Sequence, residues 1–420
     1  MNDDQDLIVI GAGAAGCFSA IQAVSQHSNL RCTVLEATRR PLTKVKVSGG
    51  GRCNVTHHCF EPKNLVKSYP RGQRELLGPF HKFQPQDMIQ WLKDHGVETV
   101  VEADGRMFPA SHKSTTIIDL FLKKIDQLGI HLEKGALVQR VEKTPKGWKV
   151  FLSQGRELKA RYLVIATGGM PQGYKLAFEL GHVMVDPMPS LFTFEIENPI
   201  LKDLSGLSFP AACVDLKIGK KKFQQVGPVL MTHWGLSGPA VLKLSAFAAR
   251  ELFQENYHAP VQVNWLGWKK TKVVETLLQQ KKHCSKNMMG KKNPFDVPKR
   301  FWFRVLELVD LDPEQLWAQL STHQVESLSS LLCECQLHIQ GKGVFKEEFV
   351  TSGGVSCKEV DFRTMESKLH QNLYFCGEIL NIDGITGGFN FQNAWTTAWL
   401  AAGSIAEKER DLKLKITMVE

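Results

Sequence analysis

The chain has 420 residues, 43% apolar and 23% charged, with a net charge of +9, an ordinary globular composition with room for two or three domains. No uncharged apolar run approaches the ~18 residues of a membrane span, and the acidic opening Met1-Asn2-Asp3-Asp4-Gln5-Asp6 is wrong for a signal peptide, so a cytoplasmic location is the default. Ten cysteines show no disulfide framework and no Cys-x-x-Cys pair, and the crowded set Cys53, His57, His58, Cys59 matches no standard zinc spacing, so no metal is expected.

Leu7-Ile8-Val9-Ile10 reads as a strand buried on both faces. The chain then turns through Gly11-x-Gly13-x-x-Gly16 into an apolar helix reaching about Val24. Gly11 allows the tight turn, Gly13 the approach of a pyrophosphate, and Gly16 close packing of helix on strand. Free N–H groups and the positive end of the helix dipole favour phosphates there. A second strand, Cys32-Thr33-Val34-Leu35, ends at Glu36, twenty residues past Gly16, where an acid holds an adenosine ribose. A lone GxGxxG is weak evidence, but strand, helix and acid in register point to a dinucleotide site rather than a bare glycine-rich turn.

Lys44-Val-Lys46-Val-Ser48-Gly49-Gly50-Gly51-Arg52-Cys53-Asn54 suits a loop passing a flat or anionic ligand, the alternative being a flexible turn. A helix is expected from Gln86 to His95, then a strand over Val97–Glu102 and a turn Asp104-Gly105-Arg106-Met107-Phe108-Pro109. Ser114 could cap a helix through Gln127. Short segments near 136–144, 147–153 and 156–159 suggest a meander, and Leu163-Val164-Ile165-Ala166 another buried strand running into Thr167-Gly168-Gly169.

From about Pro187 the texture changes. Prolines punctuate strand-like runs at Leu191–Ile196, Ala211–Ile218 and Phe223–Met231, which suggest an antiparallel, barrel-like domain. Thr232-His233-Trp234-Gly235-Leu236-Ser237-Gly238-Pro239 leads into a helix of about fifteen residues. Val261–Trp265 resembles a strand, helical patterns follow near 271–283, 299–309, 313–320 and 323–333, and strand texture returns at Gln336–Val350. Leu266–Arg304 holds eleven Lys/Arg (Lys269, Lys270, Lys272, Lys281, Lys282, Lys286, Lys291, Lys292, Lys299, Arg300, Arg304) against two acids, Glu275 and Asp296, and so carries the whole charge excess. Such a run is either a solvated face or a footprint for RNA or another polyanion. Thr351-Ser352-Gly353-Gly354-Val355 then reads as a loop, Leu373-Tyr374-Phe375-Cys376 as a buried strand ending at Gly377-Glu378, and Gly387-Gly388 opens an amphipathic helix to about Glu407. Strand, acid and glycine turn repeat the opening geometry, so the end of the chain is expected to complete the first domain.

These motifs together resemble the two-dinucleotide-binding-domain flavoproteins, and within them the BaiN-like or aminoacetone-oxidase-like (YhiN-like) FAD-binding oxidoreductases. The matching stretches are Gly11–Gly16, Ser48–Asn54, Gly105–Pro109, Ala166–Gly169, Thr232–Pro239, Thr351–Val355, Gly377-Glu378 and Gly387–Gln392. The resemblance implies an α/β fold: a discontinuous Rossmann-like FAD domain (1–188 and 351–420), an inserted β-barrel (189–265 and 334–350) and a helical basic insert in the barrel (266–333). Gly11, Gly13, Gly16 and Glu36 would hold the ADP half, with Ala14, Ala15, Ala37 and Val138 beside them. Lys46, Ser48, Gly49, Gly50, Arg52, Cys53 and Asn54 would lie along pyrophosphate and flavin, and Ala166, Thr167, Gly168 and Gly169 would back the cofactor. Gly377, Glu378, Asp383 and Gly384 would serve the ribityl-pyrophosphate, and Gly387, Gly388, Phe389, Asn390, Phe391 and Gln392 the isoalloxazine edge. A helix N-terminus there would stabilise the negative charge gathered by reduced flavin. Phe389 stands where the family often has tyrosine, and the segment between Gly169 and Gly173 is shorter than the family pattern.

Three functions compete. The first is an FAD-dependent oxidoreductase passing a hydride between flavin N5 and an organic substrate held between FAD domain and barrel. NAD(P)H could serve it as a transient reductant, since no second GxGxxG follows a strand. The second places the chemistry on an RNA base, with the basic insert on phosphates, and the third is a non-enzymatic flavin redox sensor. His233, Arg106, Arg52 and Cys53 lie in loops that could face the flavin, yet each also reads as a packed or anchoring residue. Substrate and oligomeric state are not legible.

Overall fold

The structure, a computed structural model, describes residues 4–343 and 350–417. The first three residues of the acidic start and the end of the expected strand Gln336–Val350 lie outside the described residues. The chain divides into two compact units, Met1–Pro187 with Val350–Glu420, and Met188–Phe349. Each has its own hydrophobic core.

The first unit is built on five parallel strands: β1 (Asp4–Ile10), β2 (Cys32–Glu36), β3 (His131–Lys134), β4 (Glu157–Ile165) and β5 (Leu373–Phe375), in the order β5-β4-β1-β2-β3. Ile8, Val9 and Val34 are wholly buried, as a strand covered on both faces requires. β1 pairs with β2 from Leu7↔Cys32 to Ile10↔Leu35, and with β4 through Leu7↔Tyr162 and Ile10↔Ile165. The order therefore reverses at β1, and the crevice at the carboxyl ends of β1 and β4 is where such sheets take ligands. Helix α1 (Ala14–Gln26) is buried continuously from Ala15 to Val24, because the long C-terminal helix α2 (Phe389–Thr417) packs against it. Phe18 and Trp395 meet edge to face at 5.5 Å, and the Trp395 indole N–H donates to the Val55 carbonyl at 3.0 Å.

Several local expectations are corrected. The segments 156–159 and 163–166 belong to one nine-residue strand, β4, whose early half pairs with Gly147–Leu152. Ser114 is not the residue that caps its helix; it is the first helical residue, and its hydroxyl donates to the Lys46 carbonyl at 2.9 Å. Thr351–Val355 is no loop but part of a fully buried strand, Val350–Val355. Its glycines permit close crossing: a Cβ on Gly353 would stand 2.4 Å from the Asp186 carbonyl. The helix after Gly238 is broken at Ala248 into Pro239–Phe247 and Ala249–Gln254, and the pattern at 313–320 yields one short turn, Trp317–Gln319.

In the second unit seven antiparallel strands form one sheet, in the order Cys335–Ile339, Ala259–Asn264, Ser208–Ile218, Lys221–Thr232, Gly235–Ser237, Phe194–Glu195, Gly341–Lys342. The first and last are separated only by Gln340, whose N–H donates to the Glu195 carbonyl at 2.8 Å, so one stretch pairs with both edges. Helices Lys270–His283, Lys299–Leu308 and Thr322–Cys333 share this sheet's core, with the Phe301 ring 4.7 Å from Phe209 and 5.3 Å from Trp265. No described helix is long and apolar enough to cross a membrane.

One buried imidazole ties the first unit together. His182 lies at hydrogen-bond distance from the Ala177 carbonyl through Nδ1 (3.2 Å) and from the Ser367 hydroxyl through Nε2 (2.8 Å). The carbonyl requires a donor at Nδ1, so Nε2 accepts. Burial holds its pKa below the ordinary 6.5, so the unfolded chain takes up this proton first as pH falls. This contribution to stability is complete above about 6.5 and is lost as pH drops through the folded pKa. In urea unfolding, His182→Gln should therefore flatten the pH dependence below about 6.5, by up to about 1.4 kcal/mol per pH unit; an unchanged slope would refute this.

Candidate cofactor site and basic surface

The glycine turn is shaped by backbone approach. Gly11 (φ 102°) donates its N–H to the Leu35 carbonyl at 2.8 Å, and a Cβ on Gly16 would sit 1.8 Å from the Gly11 carbonyl. Gly13, the residue before α1, is different: a Cβ there meets nothing within 4 Å. No acid or side-chain cap competes for the first N–H groups of α1. Glu36 accepts from the Ala12 N–H (2.9 Å) and from the Thr38 N–H and hydroxyl (both 2.8 Å), which fixes its carboxylate at the turn. Ala37 beside it is exposed.

The expected loop at 44–54 is partly helical. The stretch Thr43–Gly51 breaks at Ser48 (ψ 147°), and Gly49, Gly50 and Gly51 follow in left-handed geometry at φ 57°, 68° and 84°. Arg52 and Arg106 are not free: both hold Glu102, at 2.6 and 2.8 Å, and Arg106 also holds Asp104 at 2.7 Å. The Arg52 guanidinium lies 4.1 Å from the centre of the Phe108 ring. Cys53 is buried, and burial pushes its thiol pKa up to about 12, which keeps it protonated and a poor nucleophile at neutral pH.

The C-terminal motifs arrive at the same unit. Glu378 pairs with Lys44 at 2.6 Å and accepts from the Thr351 N–H at 2.9 Å, while Cβ atoms on Gly168 and Gly169 would lie 3.4 and 3.5 Å from its carboxylate. Asp383 is wholly buried in a forked pair with Arg71, the Nε–Oδ1 distance being 2.5 Å. Asn390 clamps Gly384, accepting from its N–H at 2.8 Å and donating to its carbonyl at 2.9 Å. Thr56 donates to the Gln392 amide oxygen at 2.7 Å. Phe389 stacks on His57 with ring centres 4.5 Å apart. Gly387 lies in the bend before α2 and Phe391 in the first turn of that helix, and Lys46 is exposed in the stretch Thr43–Gly51.

Val138 opens a strand of the meander and offers its carbonyl to Gln172 at 2.8 Å. His233 is exposed on a hairpin turn of the second unit. Conversely, Tyr69, Arg71 and His57 were not expected at the site. Their partners lie more than 300 residues away, and no local pattern marks such pairings.

The first unit fits a dinucleotide. Open space surrounds the position of a Gly13 Cβ at a helix N-terminus, and the buried hydroxyls of Thr167 and Ser352 have no intrachain partner among the described residues. Buried hydroxyls are normally hydrogen-bonded, and both lie next to residues around Glu378.

In the second unit the basic run sorts into two classes. Lys270 holds Glu326 and Glu334; Lys281, Arg300 and Arg304 donate to the carbonyls of Leu320, Asp203 and Pro199. Lys272 and Lys299 lie over the rings of Trp268 and Phe303. Lys269, Lys282, Lys286, Lys291 and Lys292 are exposed and have no partner among the described residues.

Gly13 and Gly16 give a paired test. Gly13→Ala should leave the melting temperature within about 2 °C and weaken FAD binding at least about tenfold. Gly16→Ala should destabilise the protein by about 1–3 kcal/mol. Calorimetry and FAD titration check both, and equal loss of stability in the two would refute the distinction.

Comparison with known proteins places this arrangement. The family described as HI0933-like protein Rossmann domain matches residues 5–404. The chain is 30% identical to the ribosomal RNA dihydrouridine synthase of Escherichia coli K12, over 94% of this chain and 97% of that one. It is 26% identical to the 3-dehydro-bile acid delta(4,6)-reductase of Clostridium scindens, over 95% and 98%. Among solved structures, a flavocytochrome c3 fumarate reductase in an open conformation aligns with TM-score 0.52 at 13% identity, over 97% of this chain and 78% of that one. The 3-ketosteroid delta1-dehydrogenase of Sterolibacterium denitrificans aligns with TM-score 0.51 at 12% identity, over 97% and 100%. At such identities those likenesses are of fold alone. The chain belongs to the HI0933-like protein Rossmann domain family of FAD-binding oxidoreductases.

Proposed function

We propose that this FAD-dependent oxidoreductase reduces a carbon–carbon double bond conjugated to a carbonyl, in a uracil base of RNA. The observation that carries the RNA part is the set of five exposed, unpaired lysines of the second unit, which suits a phosphate backbone. Two relatives named ribosomal RNA dihydrouridine synthase, at 30% and 29% identity, support the same reading. The name of the bile-acid relative describes loss of ring double bonds by reduction, so the bond type is common to both.

Bound FAD, once reduced, would supply the hydride for the β-carbon of the conjugated bond and return to its oxidised form, with a proton from solvent completing the α-carbon. Gly13 and the first N–H groups of α1 would take the pyrophosphate, with Gly11, Ala14, Ala15 and Gly16 shaping the turn and Glu36 and Ala37 at the adenosine ribose. Ser48–Asn54, Ala166–Gly169 and Gly377-Glu378 would line the cofactor's length, and Gly387–Gln392 its reacting edge. Lys44 neutralises Glu378, so the pyrophosphate side gains no net negative charge from that carboxylate. Arg52 and Arg106, committed to Glu102, act in this reading by shaping the loop, and Cys53 fills it as a neutral thiol. Val138, through its carbonyl, supports the helix at Gln172. A β-barrel with a helical insert is the proposed form of the second unit, NAD(P)H the proposed transient reductant, and the cytoplasm the proposed location.

The test is anaerobic. FAD-loaded protein is reduced, mixed with ribosomal RNA fragments or a ring enone, and followed by flavin absorbance and by the mass of digested nucleosides. Reoxidation by RNA with a gain of two hydrogens on uridine is expected; reoxidation by the enone alone would overturn the RNA reading, and protein that takes up no FAD would overturn the enzyme reading. Changing Lys282, Lys286, Lys291 and Lys292 to Gln should weaken RNA binding at least about tenfold and reduce the log–log salt slope by up to about 3, near 0.7 per phosphate contact on single strands. Unchanged affinity would remove these lysines from the interface.

A further inference from the structure

We propose that the stretch 54–71 is a positioning frame that sets how readily the bound cofactor accepts electrons, by fixing the backbone at the start of α2. The inference rests on the FAD reading above. Four side chains of this stretch each take one group of the loop 383–390. With the Asn54 amide assigned to the orientation its neighbours satisfy, its oxygen accepts from the Gly388 N–H at 3.0 Å, and His57 Nδ1 donates to the Gly387 carbonyl at 3.0 Å, so both ends of one peptide unit are held. The Tyr69 hydroxyl donates to the Phe389 carbonyl at 2.7 Å. Arg71 forks onto Asp383, and the Ile385 N–H donates to the Ser68 carbonyl at 2.9 Å. A Cβ on Gly388 would come within 2.5 Å of the Thr56 carbonyl, so loop and frame meet backbone to backbone.

The consequence is directional. In a planar trans peptide the carbonyl and the N–H point opposite ways. Holding the Phe389 carbonyl on Tyr69 therefore turns the Asn390 N–H outward from the helix start. The N–H groups of the first turn, at Phe389, Asn390 and Phe391, have no acceptor within the helix. Donors held in advance stabilise negative charge at no cost of reorganisation, and a reduced flavin concentrates its negative charge at one edge of its ring. Tyr69 and Asp383 are wholly buried, so water does not compete for these bonds. None of the four residues is catalytic in this account; Asn54, His57 and Tyr69 act through the loop backbone and Arg71 through the Asp383 carboxylate.

Tyr69→Phe removes one hydroxyl and keeps the ring. In FAD-loaded protein equilibrated with a reference dye, the oxidised-to-reduced ratio at the wild-type midpoint should rise about tenfold, which for a two-electron couple is about 30 mV. FAD affinity should change by less than about threefold. His57→Ala should shift the ratio in the same direction, and His57→Asn, which keeps a side-chain N–H donor, should recover most of the shift. A ratio within about twofold of wild type in both Tyr69→Phe and His57→Ala overturns the proposal even if both variants melt earlier, since the frame would then be structural only. If Tyr69→Phe does not fold, the His57 pair decides. Wild-type protein that takes up no FAD overturns the functional reading itself, a result distinct from unchanged potentials in loaded variants.

Discussion

Backbone passing against backbone, with no room for a side chain between, is the constraint on which the first unit depends. A Cβ on Gly16 would stand 1.8 Å from the Gly11 carbonyl, one on Gly388 2.5 Å from the Thr56 carbonyl, and one on Gly377 2.9 Å from the Ala15 Cβ. These approaches seat α1 on β1, the start of α2 on the strand at 56–57, and the last strand's exit on α1. Both helices follow parallel strands of one sheet, so both N-termini open at its carboxyl edge. Under the proposed function, two helix dipoles would then face the cofactor.

Lys44, Arg52, Arg71 and Arg106, all near the nucleotide motifs, are committed to Glu378, Glu102, Asp383 and Asp104. The Arg71–Asp383 pair is the costliest to disturb, because removing one partner from a buried pair leaves an uncompensated charge, a loss of about 3–5 kcal/mol. Under the proposed function, oriented N–H groups, short-ranged and specific, would hold the cofactor's phosphates. In the second unit the unpaired lysines make a long-ranged and salt-sensitive field instead.

Buried polar groups take up the backbone of the C-terminal loop. Asn390 occupies both backbone groups of Gly384, Tyr69 and His57 occupy carbonyls, and Asn54 occupies an N–H. A loop with four glycines between positions 377 and 388 would otherwise retain large conformational entropy. Side-chain bonds from Asn390 and from the distant stretch 54–71 reduce it.

The sequence by itself determined what depends on neighbours along the chain. The strand, turn and helix at 7–26, the acid at 36, the basic run and the family were legible because apolar period, glycine spacing and local charge are written in consecutive residues. So was the return of the chain's end to its beginning, since the glycine and acid motifs recur near both termini and Gly13 and Gly388 fall in one compact unit. Only the tertiary structure decided which polar groups are free. Arg52 and Arg106 look alike in sequence to unpaired anchors, and Lys270 looks like Lys269, until Glu102 and the pair Glu326 and Glu334 arrive from elsewhere. The buried strand at 350–355 escaped notice because its glycines, read locally as loop formers, serve close crossing with distant backbone, Gly353 with Asp186 and Gly354 with Ile379. Arg71 and Asp383 find each other across 312 positions, and a pairing made by folding leaves no trace in the residues beside either one.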